Sequence, residues 1–419
     1  SKHPHNSLHR RITCSAGWLG LLFCFGLWWL RMRRRRKVHD ERLTLNDKQV
    51  LVFRHCVRST STKVKAAKSD FGHAENFTNL SLPNWETPEQ WCTGQGAAIM
   101  EQTSKHLEAI LGADLSSSEL KVISDTDQRD ANTANSLLRG LADKRKTFRS
   151  VVDYIPLIFN AYAPDFGEPL CPGPSEEEET LQSQKLLQSV PMPMGVGRRL
   201  EMNQSRYMEV LEILQQLIGI GSAGKLTDLP LPEVDAAGKL VGAPAVLKTF
   251  SQSMLYAFAS GIPYTNATTQ QRYDLISWQY WFRQVLETPA KLVPKKACGA
   301  ISVIEALLSP SEHHMLYVGH DSDLDALAHF FQISWEAPPF PGPRPTPPGS
   351  ALAFAPGDHE ASVKFVYEVF DGTSTPGVRV VETTPSTVDL HKTKDRILRE
   401  IELYAGLSCA AACYRALEL

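Results

Sequence analysis

Three apolar runs, each followed by charged residues, constrain the fold of this chain more than any other feature. They lie at 49–53, at 120–124 (LKVIS) and at 315–318 (MLYV), and their length and character predict buried strands. Patterns typical of helices lie between and after them, at 96–111, 130–146 and 322–331. Strands that alternate with helices predict an α/β fold with a mixed, mostly parallel sheet and helices on both faces. In such a fold, ligands bind beyond the C-terminal ends of the strands.

The middle of the chain has a different character, because its patterns are almost wholly helical. The segments 203–220 and 270–287 carry apolar and aromatic residues at helical spacing, and stripes of this kind usually pack in a core. We therefore predict a helical subdomain at 151–295. It is inserted in an α/β domain that comprises 48–150 and 296–419.

Two further features are predicted towards the C-terminal end. The proline-rich segment 337–350 is interpreted as a connecting loop rather than as a ligand for a polyproline-recognising module. The segments 363–370 and 378–384 predict a closing β-hairpin.

The N-terminal region predicts a membrane anchor. After a tail at 1–11, residues 12–30 form 19 consecutive uncharged positions, and about 20 apolar residues cross a bilayer as a helix. A basic linker at 31–47, which begins RMRRRRK, follows without a small-residue cleavage site. We therefore expect a retained, single-pass signal anchor.

The sequence leaves the side of the membrane open. Six basic residues follow the apolar segment and three precede it. The positive-inside rule therefore favours a cytoplasmic location for the part of the chain that follows the anchor, which is called the body below. Glycosylation sequons favour a lumenal or extracellular body instead, and they occur at Asn76, Asn79, Asn203 and Asn266. The lumenal or extracellular side is our expectation, with the cytoplasmic side as the alternative.

Charge and cysteine spacing exclude two classes of function. The chain has a formal net charge of −2, and nine basic residues with no acidic one lie in 1–37, so residues 38–419 carry −11. A body this acidic is a poor partner for nucleic acid. The cysteines lack the paired CxxC spacing of a structural zinc site, and we predict neither a metal nor a cofactor. They stand at positions 14, 24, 56, 92, 171, 298, 409 and 413, and those at 92, 171, 298, 409 and 413 are candidates for disulfides.

The first strand leads directly into the candidate nucleophile. In VLVFRHCVRSTST, His55 stands beside Cys56, between Arg54 and Arg58. A cysteine phosphatase needs an arginine six positions after its cysteine, and Thr62 occupies that position, so the cysteine mechanism is disfavoured. A histidine nucleophile fits better, because forked guanidinium donors flank it and suit the oxygens of a phosphate monoester.

The other two strands end in residues that complement this group. Arg129 follows the second strand at the start of a helix, where backbone amides also favour anions. His320 and Asp321 follow the third strand. Three arginines, two histidines and one carboxylate are therefore expected to meet at one edge of the sheet.

These motifs resemble those of the histidine acid phosphatases. RHCVRST is similar to the R-H-G-x-R-x-P signature of that family, GHDSDL to its distal His-Asp motif, and DTDQRDANTA to the segment with a third phosphate-binding arginine. Further similarity to bacterial periplasmic phytases lies in WETPEQWCTGQG and TPPGSALAF. The resemblance implies a phosphoglycerate-mutase-like core.

The resemblance also implies a role for each residue. His55 would be the nucleophile that forms a phosphohistidine, and Asp321 would protonate the leaving alcohol. The phosphate oxygens would be held by Arg54, Arg58, Arg129 and His320. The implied activity is a metal-independent acid phosphomonoesterase acting on inositol phosphates, sugar phosphates or a broad range of monoesters.

Two positions depart from the family pattern. Cys56 replaces the motif glycine and Thr60 its proline, and a side chain at position 56 is expected to disturb the aim of His55. The alternative function is therefore a membrane-tethered pseudophosphatase that binds phosphorylated ligands without turnover. The phytase resemblance further implies that Cys171 pairs with Cys409 or Cys413. The acidic body predicts no basic patch beyond the three arginines.

Overall fold

An eight-stranded sheet lies at the centre of the part of the chain that the structure describes. The structure is a computed structural model, and it describes residues 48–64, 72–111, 120–142, 150–154, 181, 192–194, 198–200, 204–229, 233–234, 240–287, 289–309, 313–372, 378–384, 386–406, 409 and 413. Its strands are Val50–Arg54 (β1), Leu120–Ser124 (β2), Ser150–Tyr154 (β3), Met192–Met194 (β4), Arg198–Leu200 (β5), Glu233–Val234 (β6), Leu240–Val241 (β7), His314–Gly319 (β8), Ala351–Pro356 (β9), Glu360–Phe370 (β10), Val378–Glu382 (β11) and Ser386–Asp389 (β12). Strands β4 to β7 form two separate two-stranded ribbons.

The helices of the described residues agree with most of the predicted helical patterns. They are Gly94–Leu111 (α1), Gln128–Ala142 (α2), Gln204–Ile218 (α3), Ala243–Ala259 (α4), Thr269–Leu286 (α5), Pro289–Leu308 (α6), Asp321–Phe331 (α7) and Leu390–Ala405 (α8). Among these, α4, α6 and α8 had not been predicted. Helix α6 contains Pro294 in its interior, which is a residue that normally ends a helical pattern.

The order of the strands brings the three predicted strand ends together. The sheet runs β11-β10-β9-β1-β8-β2-β3, with β12 also paired to β10. Strands β1, β8, β2 and β3 pair in parallel, whereas the strands on the other side of β1 pair antiparallel. Because β1, β8 and β2 are parallel neighbours, their C-terminal ends lie at one edge of the sheet. The mixed α/β fold is confirmed, and so is the predicted hairpin, which is formed by β10 and β11.

Apolar side chains explain the position of β1 in the middle of the sheet. All five of its residues are buried, and Val50, Val52 and Phe53 have no exposed surface. A strand buried on both faces needs apolar residues at every position, and VLVF supplies them. Its last residue, Arg54, is buried too, and that charged side chain therefore needs partners.

The helices α3, α4 and α5 pack around aromatic side chains that the sequence indicated as core. Tyr207 of α3 lies within 6.0 Å of Trp278 and 6.4 Å of Phe282 of α5, measured between ring centroids. These helices fall within the predicted helical subdomain, and its boundaries stay a prediction.

One of the implied disulfide pairings is wrong. Cys413 is bonded to Cys298 on α6, which joins two points 115 residues apart, so Cys413 is not the partner of Cys171. Cys409 is disulfide-bonded as well. Cys171 lies outside the described residues, so its pairing with Cys409 remains a prediction.

The predicted anchor at 12–30 also lies outside the described residues, together with the rest of 1–47. Among the helices that the structure does describe, none combines the length and the apolar character needed to cross a bilayer.

Candidate active site

His55 is the first residue after β1, and two backbone hydrogen bonds hold it in place. Its N–H donates to the carbonyl oxygen of Gly319, the last residue of β8, at 2.9 Å, and its own carbonyl accepts from the N–H of Gly349 at 3.0 Å. Gly349 has a φ of +79°, and a Cβ atom there would lie 2.5 Å from the carboxylate of Glu368. Only glycine fits this turn without strain. The position of His55 is therefore fixed by the ends of two strands and by a tight turn.

The hydrogen bonding of the His55 ring decides which nitrogen can react. Nδ1 lies 2.9 Å from the carbonyl oxygen of Cys56. A carbonyl oxygen only accepts, so Nδ1 carries the hydrogen and Nε2 keeps its lone pair. Burial, followed by the charges of Arg54 and Arg58, holds the pKa of His55 well below its usual value. The ring is therefore a neutral imidazole, with its lone pair on Nε2.

Cys56 does not reach the reacting space. It is fully buried and bonded to Cys92, and this corrects its omission from the candidate disulfides. Its N–H donates to Thr133 Oγ1 on α2 at 2.8 Å. At the start of α1, Gly96 lies so near the carbonyl of Val57 that a Cβ atom would come within 2.1 Å of it. The loop after β1 is thus held against both helices.

Thr60, at the position of the motif proline, contacts the helical region. It is buried, and its Oγ1 lies 2.8 Å from the Oγ of Ser253 on α4. This hydrogen bond links the end of the loop to α4.

The buried guanidinium of Arg54 has a partner on each side. Nη2 donates to Tyr256 Oη at 2.7 Å and lies 3.0 Å from Asp321 Oδ2, and Nη1 donates to the carbonyl of Thr346. Arg58 lies nearby, with its guanidinium carbon 5.6 Å from the centroid of the same Tyr256 ring. Both arginines line the cavity around His55.

Arg129 occupies the second position of α2 and is surrounded by carboxylates. Its Nη2 contacts Asp127 Oδ2 and His320 Nε2, and its Nε lies 3.6 Å from Asp130 Oδ2. Ligand atoms of Asp127, Asp130 and His320 lie within 4.8 Å of one another, a spacing that also suits a metal ion. Because the guanidinium of Arg129 already brings a positive charge to all three, we assign no metal here. Burial raises the pKa of Asp130 well above its usual value.

His320 and Asp321 begin helix α7. His320 is its N-cap residue, and its N–H donates to Asp323 Oδ2 at 2.6 Å. The His320 ring stands edge-on to that of His55, with 5.6 Å between the centroids. Asp321 Oδ1 accepts from the N–H of Ser322 at 3.0 Å. Asp321 therefore points into the cavity from the helix N-terminus.

Arg283 on α5 was missed by the sequence analysis. Its Nη1 lies 2.6 Å from Asp321 Oδ2, and its Nε contacts Asp325 Oδ2. Burial alone would raise the pKa of Asp321, but Arg283 and then Arg54 outweigh it and hold that pKa well below its usual value. Arg283 lies in the segment WFRQ, within a helical pattern rich in aromatic residues. A single arginine in such a pattern does not by itself indicate a functional site.

All six predicted site residues line one cavity of about 740 Å³. They are Arg54, His55, Arg58, Arg129, His320 and Asp321. The wall also includes Lys63, Lys248 and Lys291. The expectation of no further basic patch is therefore wrong, because the lysines come from distant segments and gather only in the folded chain. The structure brings the six residues together, and their individual roles stay predictions.

Comparison with solved structures finds the same fold in bacterial phytases. The phytase of Citrobacter braakii aligns with a TM-score of 0.66 at 21% identity, over 87% of this chain and 99% of that one. Apo Hafnia alvei phytase aligns with a TM-score of 0.66 at 17% identity, over 87% and 98%. The phytase of Klebsiella sp. ASR1 aligns with a TM-score of 0.63 at 14% identity, over 85% and 95%.

The chain has the histidine acid phosphatase fold. No protein-family model matches the sequence, and no curated protein matches it either. The histidine acid phosphatase fold is therefore recognised through the structure and the short motifs around His55, Arg129 and His320.

Proposed function

We propose that the protein is a metal-independent phosphomonoesterase that works through a phosphohistidine at position 55. The observation that carries this proposal is the His55 ring, which is held through Nδ1 and lines one cavity together with Arg54, Arg58, Arg129 and His320. Phosphoryl transfer depends chiefly on positioning and on neutralisation of charge, and this group supplies both without a metal.

In the first step, His55 Nε2 attacks the phosphorus atom. The bond between phosphorus and the ester oxygen breaks, and a phosphohistidine forms. Asp321 gives its proton to the departing alcohol oxygen. The guanidinium groups of Arg54, Arg58 and Arg129 neutralise the charge on the equatorial oxygens.

In the second step, water attacks the phosphohistidine. Asp321, now a carboxylate, takes a proton from that water, the bond between phosphorus and Nε2 breaks, and inorganic phosphate leaves. His55 returns to its neutral form with Nδ1 still donating to the Cys56 carbonyl.

The two roles demand opposite protonation states, and the lowered pKa of His55 allows them to coexist. The nucleophile stays neutral in acid because its pKa lies well below 6.5. The proton donor is active only when protonated, so kcat/KM falls as the pH rises above the pKa of Asp321. The activity is therefore expected to be greatest in acid.

The cavity supports substrates with more than one phosphate. Its volume of about 740 Å³ exceeds what a single phosphate fills, and Lys63, Lys248 and Lys291 add positive charge around the arginines. One of the structural neighbours, the Hafnia alvei phytase, was solved in complex with myo-inositol hexakis sulphate. We propose inositol polyphosphates as the preferred class, with sugar phosphates and other monoesters as weaker substrates.

The experiment is hydrolysis of p-nitrophenyl phosphate and of inositol hexakisphosphate by the purified body at about pH 5 with a chelator present. The proposal predicts release of phosphate that the chelator does not reduce and that His55→Ala abolishes. Loss of activity on chelation, or activity retained in His55→Ala, contradicts it.

One observation favours a second candidate, a membrane-tethered pseudophosphatase that binds phosphate esters without turnover. Asp321 is held in its ionised form by Arg283, whose Nη1 lies 2.6 Å from Asp321 Oδ2. Cys56, at the position of the motif glycine, does not add to this, because its side chain is buried in the bond to Cys92. This candidate predicts binding of inositol hexakisphosphate with no release of phosphate. Binding calorimetry alongside the hydrolysis assay distinguishes the two.

We also propose that the body lies on the lumenal or extracellular side of a membrane, behind the anchor at 12–30. Disulfides form and persist in oxidising compartments, and Cys56–Cys92 and Cys298–Cys413 support this placement. Protease protection of intact vesicles, with occupancy of Asn76 and Asn266 by glycan, tests it. Digestion of the body from the cytoplasmic side contradicts it.

A further inference from the structure

Arg283 holds the predicted proton donor, and the reaction described above gives it no part. Its guanidinium uses each nitrogen on a different partner: Nη1 lies 2.6 Å from Asp321 Oδ2, Nη2 lies 2.5 Å from Thr346 Oγ1, and Nε contacts Asp325 Oδ2. Only about 12% of the Arg283 side chain is exposed, yet it forms part of the cavity wall. It is therefore within reach of a ligand while it is bound to Asp321.

The surroundings of Asp321 are unfavourable for a proton. Its Oδ2 contacts two guanidinium groups, with Arg283 Nη1 at 2.6 Å and Arg54 Nη2 at 3.0 Å. The other groups that face it are His55, His320 and Asp325, and the phenols of Tyr256 and Tyr280 lie beside the two arginines. Two cations against one carboxylate favour its ionised form.

This arrangement conflicts with the role of Asp321 unless one of the cations moves. A donor that is always ionised cannot protonate the leaving alcohol. Arg54 is 1% exposed and is anchored by Tyr256 and by the carbonyl of Thr346, so it has no free direction in which to turn. Arg283 faces the cavity, and a bound phosphate dianion attracts a guanidinium more strongly than a single carboxylate does.

We propose that Arg283 is a positioning residue that keeps Asp321 ionised in the free protein and turns to the phosphate oxygens of the bound ester. Asp321 then takes one proton from solvent, which reaches it through the open cavity, and later gives that proton to the alcohol. Asp325, which holds Nε, keeps the turning guanidinium beside the site. This inference rests on the proposed phosphomonoesterase activity.

The kinetic test compares pH profiles for an alkyl phosphate, such as glycerol 2-phosphate, and for p-nitrophenyl phosphate. An alkoxide needs a proton to leave, whereas nitrophenolate leaves without one, so only the alkyl ester reports on Asp321. The fall of kcat/KM at high pH, called its limb here, reports the pKa of Asp321 in the free protein. The corresponding limb of kcat reports the pKa of Asp321 in the complex with the ester. In the wild-type protein the kcat limb is expected at higher pH than the kcat/KM limb.

Arg283→Gln is the decisive variant. Removing one of two adjacent cations raises the pKa of Asp321, so the kcat/KM limb for the alkyl ester is expected to move up by about 1 pH unit and towards the kcat limb. Arg283→Lys keeps the charge and is expected to restore most of the wild-type profile. A variant that loses activity equally at every pH, with both limbs unmoved, overturns the proposal.

Two control variants separate this effect from other causes. Arg272→Gln removes the same charge three turns earlier on α5, where Arg272 stacks on Phe258 outside the cavity wall, and its profile is expected to match wild type. Glu287→Gln tests the other carboxyl in the cavity wall, whose pKa is raised by burial. If the kcat/KM limb for the alkyl ester shifts in Glu287→Gln and not in Arg283→Gln, the proton donor is Glu287 and the proposal is wrong.

A calorimetric measurement decides the question even without turnover. Inorganic phosphate is titrated into the protein at about pH 5 in buffers of different ionisation enthalpy, which gives the number of protons taken up on binding. Wild type is expected to take up more protons than Arg283→Gln, in which Asp321 is already partly protonated. Equal uptake overturns the role of Arg283. Absence of ester hydrolysis together with unequal uptake would overturn the proposed enzyme activity alone.

Discussion

The bond between Cys56 and Cys92 ties the residue next to His55 to the segment just before helix α1. Both sulfur atoms lie 3.8 Å from the carbonyl oxygen of Arg129, so the bond also packs against the helix that carries the third arginine. A side chain in place of the motif glycine is accommodated because it points into this contact and away from the cavity.

Breaking this bond is expected to impair both folding and catalysis. Cys92→Ser opens a loop of 36 residues and should lower the free energy of unfolding by about 2–4 kcal/mol. It should also lower kcat, because the loop that aims His55 is released. Cys298→Ser is the matched control, since it removes a disulfide whose cysteines do not line the cavity. Thermal unfolding with kcat/KM for both variants checks the prediction, and an equal loss of kcat in the two would contradict it.

A buried carboxyl behind the site predicts how stability depends on pH. Glu368 is buried, Thr103 donates to its Oε1, and burial raises its pKa from 4.5 to about 8. Because the folded pKa is the higher one, this contribution is complete below 4.5 and is lost as the pH rises towards 8. Glu368 on its own therefore makes the folded state more stable in acid than at neutral pH.

Glu368→Gln provides the measurement. Glutamine keeps the shape and does not ionise, so the Tm of this variant should vary less between pH 4.5 and 8 than that of wild type. Parallel curves of Tm against pH for the two proteins would show that Glu368 is not the group responsible.

The lysines of the cavity wall predict a preference for highly phosphorylated esters. Replacing Lys63, Lys248 or Lys291 by Gln should each lower kcat/KM for inositol hexakisphosphate by up to about 1 kcal/mol, roughly fivefold, and leave a simple monophosphate nearly unaffected. Lys364→Gln is the control, because Lys364 on β10 is paired with Glu382 and does not line the cavity. Equal losses for both substrates would mean that these lysines do not select for multiple phosphates.

The parts of the fold that sequence could predict are those determined by local pattern. The second strand was predicted at 120–124 and lies at Leu120–Ser124, because its apolar run is short and bounded by polar residues. Six site residues could be predicted because each lies at the C-terminal end of a strand or within a few residues after it, and parallel neighbouring strands present their ends together. The antiparallel half of the sheet escaped prediction except for its hairpin. No strand was predicted at β9, whose six residues directly follow the proline-rich segment 337–350.

The features that escaped prediction depend on contacts between distant segments. Cys56 and Cys92 are 36 residues apart, and nothing in their spacing indicates a pair. Arg283 meets Asp321 only because α5 packs against the start of α7. The charge of the cavity wall likewise differs in sign from that of the whole body, because arginines and lysines from separate segments converge there and outnumber its two carboxylates.

The phosphohistidine at position 55 is the central claim, and trapping it is the most direct test. The protein is mixed with a phosphate ester labelled with 32P, quenched within milliseconds under alkaline denaturing conditions, and mapped by mass spectrometry. The account predicts label on His55, stable in base and labile in acid, and absent from His55→Ala. Label on Cys56 or on any other residue, or rapid hydrolysis with no labelled protein at all, would contradict it.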